Sequence, residues 1–202
     1  MELKVGIDPS LNSTGLTIIL SDGDKILDEW FYIIKPNKLT KKESKAEDNC
    51  KYKFHYCIYE KYEAEDYGLN EVCKLSNFIN ISSIIYKLVL QKWKNESASL
   101  ANIKVCIEGL SYGSSTKTKS IFDLAGLNYI IRYTVLMLKK YTNMCDLIIM
   151  SPAEIKKIST NKGNASKAEM VEAFNKFHEG FELPKIDDIS DSWNMANALF
   201  SK

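Results

Sequence analysis

The alternation of apolar and polar residues along the chain predicts five β-strands. The first three lie close together and are separated only by turn-rich segments, which is typical of an antiparallel meander. The other two are short apolar runs further along, and each is followed by a helical pattern. The five predicted strands are residues 4–7, 15–20, 25–34, 102–107 and 145–150.

Apolar residues at helical spacing predict helices around and after the last two strands. The predicted helices are residues 70–93, residues 114–141, a helix that starts at Pro152, residues 166–178 and residues 187–200. Residues 35–70 are rich in Lys, Glu and Tyr with weak periodicity, and they predict a loop or an inserted helix. The chain is therefore expected to form one α/β domain over residues 1–202, with an insertion at about residues 35–70. Its mixed five-stranded sheet would combine three meander strands and two parallel strands, with helices on both faces.

The composition is that of an ordinary globular protein and excludes wholesale disorder. Of 202 residues, 45% are hydrophobic and 26% are charged, and the formal net charge is +1. Residues 110–170 hold nine bases and four acids, whereas residues 43–71 hold eight acids and four bases. The basic half suits a polyanion, but charge alone favours an ordinary solvated surface.

Cysteine usage and hydropathy predict an intracellular protein without a membrane partner. The five cysteines are scattered and form no C-x-x-C pair, as expected in a reducing compartment. No apolar run approaches the ~20 residues that cross a bilayer. The first residues open directly into a strand pattern, so we expect no signal peptide.

Four carboxylates lie where predicted strands end or on the last predicted helix. Asp8 and Glu108 follow strands, and Asp188 and Asp191 are three residues apart on one helical face. Each has an ordinary explanation as a turn residue, an exposed strand end or an acid in a first helical turn. Together they favour a site, because converging acids are costly unless a divalent cation such as Mg²⁺ compensates them.

Four sequence blocks, taken together, resemble the RuvC-like Holliday junction resolvases, especially their phage and viral branch. The first block alone is not specific, because actin-like ATPases and sugar kinases open in a similar way. All four occur in the family's order and span nearly the whole chain. They are VGIDPSLNSTG at residues 5–15, IEGLSYGS at residues 107–114, PAEIKKISTNKGNASK at residues 152–167 and DDISDS at residues 187–192.

The resemblance implies a ribonuclease H-like fold and a homodimeric nuclease that cuts two opposed strands of a four-way DNA junction. It implies two Mg²⁺ ions per site, with Mn²⁺ as a substitute, held by Asp8, Glu108, Asp188 and Asp191. Asp187 is an alternative to Asp188 as a ligand, and the three-residue spacing of the family motif favours Asp188. Lys167 is expected to stabilise charge on the phosphate as a further catalytic residue.

DNA binding is expected to rest mostly on phosphate contacts. Residues 113–119 suit a phosphate at a helix start, although a plain capping segment fits them equally. A stacking role for Tyr112 on an unpaired base competes with ordinary packing. Aromatic residues on the helix at residues 114–141 are expected partly in the core and partly against a second subunit. The expected DNA contacts are Tyr112, Ser114, Lys117, Lys119, Lys156, Lys162 and Lys167.

Other functions remain open at the level of sequence. The same acids would serve a ribonuclease H-like nuclease acting on flaps, other branched DNA or RNA–DNA hybrids. A junction-binding protein that does not cut is a rival of another class, and an actin-like ATPase is a third. Arg132 is the only arginine, which together with the motif style suggests a virus or phage. The expected location is then the cytoplasm or a viral replication compartment of the host.

Overall fold

The fold is built on one mixed sheet of six strands, in the order β4-β3-β2-β1-β5-β6. It is a computed structural model that describes residues 1–96, 102–110 and 118–202. Neighbouring strands β1, β2 and β3 pair antiparallel, whereas β4, β5 and β6 each join the sheet in parallel. The strands are β1 (Glu2–Asp8), β2 (Thr14–Asp22), β3 (Lys25–Pro36), β4 (Phe54–Tyr59), β5 (Asn102–Glu108) and β6 (Cys145–Met150).

The helices cover both faces of this sheet, as the sequence predicted. Two long helices, α2 and α3, pack on one face, and α6 packs on the other face with α4 and α5 beside it. A short 3₁₀ helix, Leu199–Ser201, follows α6. The α-helices are α1 (Lys41–Asp48), α2 (Tyr67–Glu96), α3 (Thr118–Thr142), α4 (Pro152–Thr160), α5 (Lys167–Asn175) and α6 (Ile186–Ala198).

The expected count of five strands is wrong, because the segment at residues 35–70 contributes a sixth. This segment forms α1 and then β4, which pairs with β3 at the edge of the sheet. Only Phe54, Tyr56 and Tyr59 of β4 are buried, and His55 between them is exposed. The only apolar run in β4, YCIY at residues 56–59, is short and lies in a lysine- and glutamate-rich segment, so the sequence pattern did not distinguish it from a loop.

Strand β1 divides its side chains between the two faces of the sheet. Leu3, Val5 and Ile7 are fully buried in the core that α2 and α3 share with the sheet. The alternate positions, Lys4, Gly6 and Asp8, therefore face the opposite side of the sheet, where α6 lies. The alternation of β1 thus delivers Asp8 to the α6 face at the end of the strand.

Helix α6 rests directly on the backbone of β1 and β2. A Cβ atom on Gly6 would overlap the carbonyl oxygen of Ser192 and lie 2.6 Å from the backbone nitrogen of Ala196. On Gly15 a Cβ would overlap the carbonyl of Asp188, with its carbon 2.8 Å away. Because both positions lack a side chain, the helix approaches the sheet more closely than any other residue type would permit.

Polar contacts to Glu29 anchor α6 to β3. The indole Nε1 of Trp193 donates to Glu29 Oε1 at 2.8 Å, and His178 Nε2 lies 2.9 Å from Glu29 Oε2. Phe174 and Phe31 pack edge-on in the same buried cluster. Since Trp193 lies two residues beyond Asp191, this anchor holds the part of α6 that carries the acids.

Helix α3 combines a buried face with an exposed apolar face. Leu127, Ile131 and Val135 recur at helical spacing and are buried against the sheet, whereas Tyr129 and Tyr133 are exposed. Over the described residues, Ile121–Thr142 is the one helical stretch long and apolar enough to cross a membrane by length and composition, with a mean hydropathy of 1.3. The expectation that no such stretch exists is wrong on this criterion.

Replacing Gly6 by alanine is predicted to destabilise the fold by about 3 kcal/mol, because overpacking must displace α6 from the sheet. Urea unfolding followed by circular dichroism measures this loss. Gly68→Ala is the matched control, since its Cβ would meet only a side-chain oxygen of Asp66 at 3.4 Å. Equal stability of the two variants would contradict the close seating of α6.

Candidate functional site

Two acidic residues end neighbouring parallel strands at the same edge of the sheet. The register pairs Ile7 of β1 with Ile107 of β5, so the next residues, Asp8 and Glu108, lie side by side. Both are half-buried. The sequence predicted that each of these acids follows a strand. Their proximity comes from the parallel pairing of β1 with β5, which no local sequence pattern specifies.

Two further acids come from the first turns of α6. Asp188 and Asp191 are three residues apart and share the helical face that lies over the end of β1. The seating of Asp188 over Gly15 sets the depth of this face, and Gly15 itself pairs with Asp8 in the sheet. The hydroxyl of Ser13 donates a short hydrogen bond to the Asp188 carboxylate, which fixes its orientation.

The four carboxylates act on one another's charge. Burial, and then the charges of Asp191, Asp188 and Glu108, raise the pKa of Asp8 well above its ordinary value. Burial and then Asp191 raise the pKa of Glu108. Burial raises the pKa of Asp191 from 3.8 to about 6, although the charge of Lys167 opposes this. Burial also raises the pKa of Asp188, and the hydrogen bond from Ser13 partly offsets it.

This concentration of negative charge is suited to a cation, although the side chains are not closed around one. Across the described ranges, no three acidic, histidine or cysteine side chains stand close enough together to hold a metal ion as placed. The four carboxylates would have to turn inward to share an ion. Their chemistry favours a hard divalent cation such as Mg²⁺, because all the donors are carboxylate oxygens.

A cleft of about 320 Å³ opens beside the acids. Glu108 and Asp191 line it together with Lys156 and Lys167, and its remaining walls are apolar. Carboxylates for a cation and ammonium groups for a phosphodiester thus line the same cleft. Lys156 and Lys167 therefore line the same cleft as two of the four acids, Glu108 and Asp191.

Lys167 and Asp187 form an ion pair at the rim of this cleft. Lys167 Nζ lies 3.0 Å from Asp187 Oδ2, and both side chains are substantially exposed. Burial works against the charge of Asp187, but the hydrogen bond from Lys167 lowers its pKa overall. Asp187 is therefore paired outward, whereas Asp188 is among the charges that act on Asp8.

None of the other residues predicted to contact DNA is among the described residues that line the cleft. Lys162 pairs with Glu169 at 2.7 Å on an exposed surface and is not part of the cleft lining. Lys119 belongs to α3. Tyr112, Ser114 and Lys117 lie outside the described residues.

Two residues near the acids were missed by sequence reasoning. Ser13 contacts Asp188 across 175 positions of sequence, which no local signal reveals. Asn128 is buried in α3, and its Nδ2 donates to the carbonyl of Glu108 at 3.4 Å. Its Oδ1 is buried with no hydrogen-bond partner among the described residues. A lone asparagine on an otherwise apolar helix face was the available signal for this residue.

Solved structures of RuvC from Thermus thermophilus are similar to this chain. One is 16% identical with a TM-score of 0.56, and the match covers 97% of this chain and 92% of that chain. A second, of T. thermophilus RuvC in complex with Holliday junction substrate, is 12% identical with a TM-score of 0.55 and coverages of 98% and 92%. The yeast mitochondrial Holliday junction resolvase Ydc2 is 15% identical with a TM-score of 0.49, over 97% of this chain and 76% of that chain.

At these identities the RuvC structures establish the fold alone. The ribonuclease H-like α/β fold expected from the sequence is confirmed, with six strands in place of five. No protein-family model matches the chain, and no curated protein sequence matches it.

Replacing Asp191 by asparagine is predicted to stabilise the metal-free protein by about 2 kcal/mol at pH 7. The carboxyl binds its proton more tightly in the folded chain, because its pKa rises from 3.8 to about 6. Wild-type stability therefore falls as pH rises through this window, whereas the variant lacks that loss. The gain should vanish as pH approaches 3.8. Urea unfolding at pH 4, 5, 6 and 7 in EDTA measures it.

The control is Asp146→Asn, since hydrogen bonds from Asn102 and Lys139 lower the pKa of that exposed carboxyl. Neutralising Asp146 should give no gain at pH 7. A gain for Asp191→Asn that is independent of pH would contradict the charge repulsion inferred for the site.

Proposed function

We propose that this chain is a metal-dependent endonuclease that resolves four-way DNA junctions. The observation that carries the proposal is the placement of Asp8, Glu108, Asp188 and Asp191 at one edge of a ribonuclease H-like sheet. Support also comes from the fold, which is similar to that of a RuvC solved with Holliday junction DNA. The four sequence blocks that carry the resemblance contain all four of these acids.

The donor set fits divalent cations. All four side chains offer hard oxygen ligands, and burial and mutual repulsion disfavour their charges until a cation offsets them. We infer two Mg²⁺ ions per site, with Mn²⁺ as a substitute. When bound, such ions supply a nucleophilic water and stabilise the departing oxygen of the scissile phosphodiester.

The chain's own residues then divide the work of binding and orientation. Asp8 and Asp191 would be the main cation ligands, and Glu108 and Asp188 would complete the ligand set, with Ser13 orienting Asp188. Lys167 lies at the rim of the cleft, where its ammonium group stabilises charge on the phosphate. Lys156 lines the same cleft and holds the DNA strand through its backbone.

The wider DNA contact is assigned to the other basic and polar residues that the sequence singled out. We infer phosphate contacts by Lys162 and Lys119, and by Ser114 and Lys117 in the segment before α3. Tyr112 is assigned to stacking on a base at the crossover. Binding of this kind weakens steeply as salt rises, because lysine contacts release counterions from the DNA.

An exposed apolar face on α3 supports a homodimer. Phe122, Tyr129, Tyr133 and Leu136 are all more than half exposed, and they recur along one side of the helix. Large aromatic side chains of this kind are enriched at the centres of protein interfaces. A second copy of the chain is the fitting partner, because symmetric cutting of opposed strands needs two active sites related by a two-fold axis.

A ribonuclease H-like nuclease acting on flaps, other branched DNA or RNA–DNA hybrids is the second candidate. Its acids would be the same, so the substrate decides between the two. The basic groups at the cleft fit any of these phosphodiesters.

Replacing Asp8 by asparagine is predicted to lower single-turnover cleavage of a synthetic four-way junction by at least ~10³-fold, because a central cation ligand is lost. Junction binding in Ca²⁺ should change less than about threefold, since phosphate contacts supply the affinity. Nick positions are mapped on all four strands, with and without Mg²⁺. The control, Asp146→Asn, neutralises an exposed carboxylate on β6 and should cut like wild type.

Near wild-type cutting by Asp8→Asn would refute the assigned role of this residue. A wild-type protein that prefers flaps or RNA–DNA hybrids would favour the second candidate, and binding without cutting in Mg²⁺ would make the chain a junction-binding protein.

Replacing Tyr133 by glutamate is predicted to convert the dimer to a monomer. Dimerisation would bury the new carboxylate at the centre of the apolar face without a partner, which is costly. Light scattering at micromolar concentration measures the mass. The variant should still nick junctions but lose the coupling of the two cuts. Leu27→Glu is the control, since Leu27 is an exposed apolar residue on β3. A wild-type monomer that cuts symmetrically would contradict the dimer.

A further inference from the structure

The ion pair between Lys167 and Asp187 joins two helices at the mouth of the cleft. Lys167 is the first residue of α5 and Asp187 is the second residue of α6. Their charged atoms are 3.0 Å apart. Lys167 also lines the cleft, whereas Asp187 does not. The ion pair therefore joins a lysine that lines the cleft to a carboxylate that does not line it.

Lys167 has other carboxylates within reach of its charge. After Asp187, the acids that attract it are Asp191 and Asp188, in that order. A lysine side chain is long and flexible, and 75% of the Lys167 side chain is exposed. If the partner at the rim were removed, the ammonium group would be drawn towards Asp191 and Asp188, the other carboxylates whose charges act on it.

An ammonium group on those carboxylates would compete with a metal ion for the same oxygens. Each carboxylate offers a limited number of lone-pair directions, and a charge-assisted hydrogen bond occupies one of them. A positive charge at that place would also repel an incoming cation. The position of Lys167 therefore bears on the cation affinity of the neighbouring acids.

We propose that Asp187 is a positioning residue that holds the ammonium group of Lys167 at the rim of the cleft and so keeps Asp188 and Asp191 free for a divalent cation. This inference rests on the proposed function, in which those acids are metal ligands. Asp187 acts through Lys167 in this account and does not itself bind the ion. The same pairing leaves Lys167 at the mouth of the cleft, where a phosphate enters.

The charge of Asp187 does not act on Asp8, although it does raise the pKa of Asp188 and of Asp191. The acids that act on Asp8 are Asp191, Asp188 and Glu108, and the lysine that acts on it is Lys167. Asp187 is instead engaged by Lys167 through its carboxylate. If Asp187 were a ligand, its removal would weaken cation binding whether or not Lys167 is present.

A double-mutant cycle separates the two roles. Mn²⁺ affinity is measured by isothermal titration calorimetry on the full chain without DNA, for wild type, Asp187→Asn, Lys167→Met and the double variant. Salt of about 0.15 M limits the long-range effect of the lost charge. Asp187→Asn should weaken Mn²⁺ binding about fivefold, the upper range for a partly exposed charge pair. In the Lys167→Met background the same change should alter affinity less than about twofold.

Two further measurements distinguish a positioning role of Asp187 from a purely structural one: rescue of Mn²⁺ affinity by Asp187→Glu, and the Mg²⁺ dependence of cleavage by Asp187→Asn. Asp187→Glu keeps the charge and should restore Mn²⁺ affinity to within about twofold of wild type. In cleavage assays, Asp187→Asn should raise the Mg²⁺ concentration needed for half-maximal rate by about the same fivefold. Its affinity for an uncut junction in Ca²⁺ should stay within about twofold, because the phosphate contacts remain.

The outcomes are distinct for this inference and for the proposed function. Equal weakening by Asp187→Asn with and without Lys167 would overturn the inference, because Asp187 would then act directly, as a ligand or through its own charge. Junction cutting by wild type would still leave the nuclease proposal standing. An unchanged Mn²⁺ affinity in Asp187→Asn would also overturn it. A wild-type chain that neither binds Mn²⁺ nor cuts DNA would overturn both.

Discussion

The contact between α6 and the bare backbone of β1 and β2 is the constraint on which the rest of the structure depends. Gly6 and Gly15 are the two places where that contact occurs, and neither leaves room for a side chain. Because the helix lies so low, Asp188 and Asp191 reach the sheet edge at which Asp8 ends its strand. Residues about 180 positions apart in sequence are brought together by two glycines and one helix.

The arrangement that brings the acids together also destabilises the fold, and other contacts of α6 offset this cost. Burial first, and repulsion between neighbouring carboxylates second, raise the pKa values of the four half-buried acids and make their charges costly. The helix stays in place because Trp193 is anchored to Glu29 and because an aromatic cluster surrounds its next turn. Strain of this kind is expected where function rather than stability selects the residues.

The sequence predicted the sheet core and the order of the helices, because strand and helix periodicities are local patterns. The four acids were singled out by strand ends together with the resemblance to the resolvase blocks. It could not predict β4, whose half-buried edge position leaves only a weak apolar signal. It also missed Ser13 and Asn128, since their contacts with Asp188 and Glu108 depend on how separate elements meet in space. Which of Asp187 and Asp188 faces the site depended in the same way on the rotation of α6 over Gly15.

The most direct test of the central claim, that these four carboxylates form one cation site, is a crystal structure of the protein grown with Mn²⁺ and measured at the manganese absorption edge. The account predicts anomalous peaks between the carboxylate oxygens of Asp8, Glu108, Asp188 and Asp191, with the side chains turned inward to reach them. Manganese bound elsewhere, with these carboxylates turned apart, would contradict it.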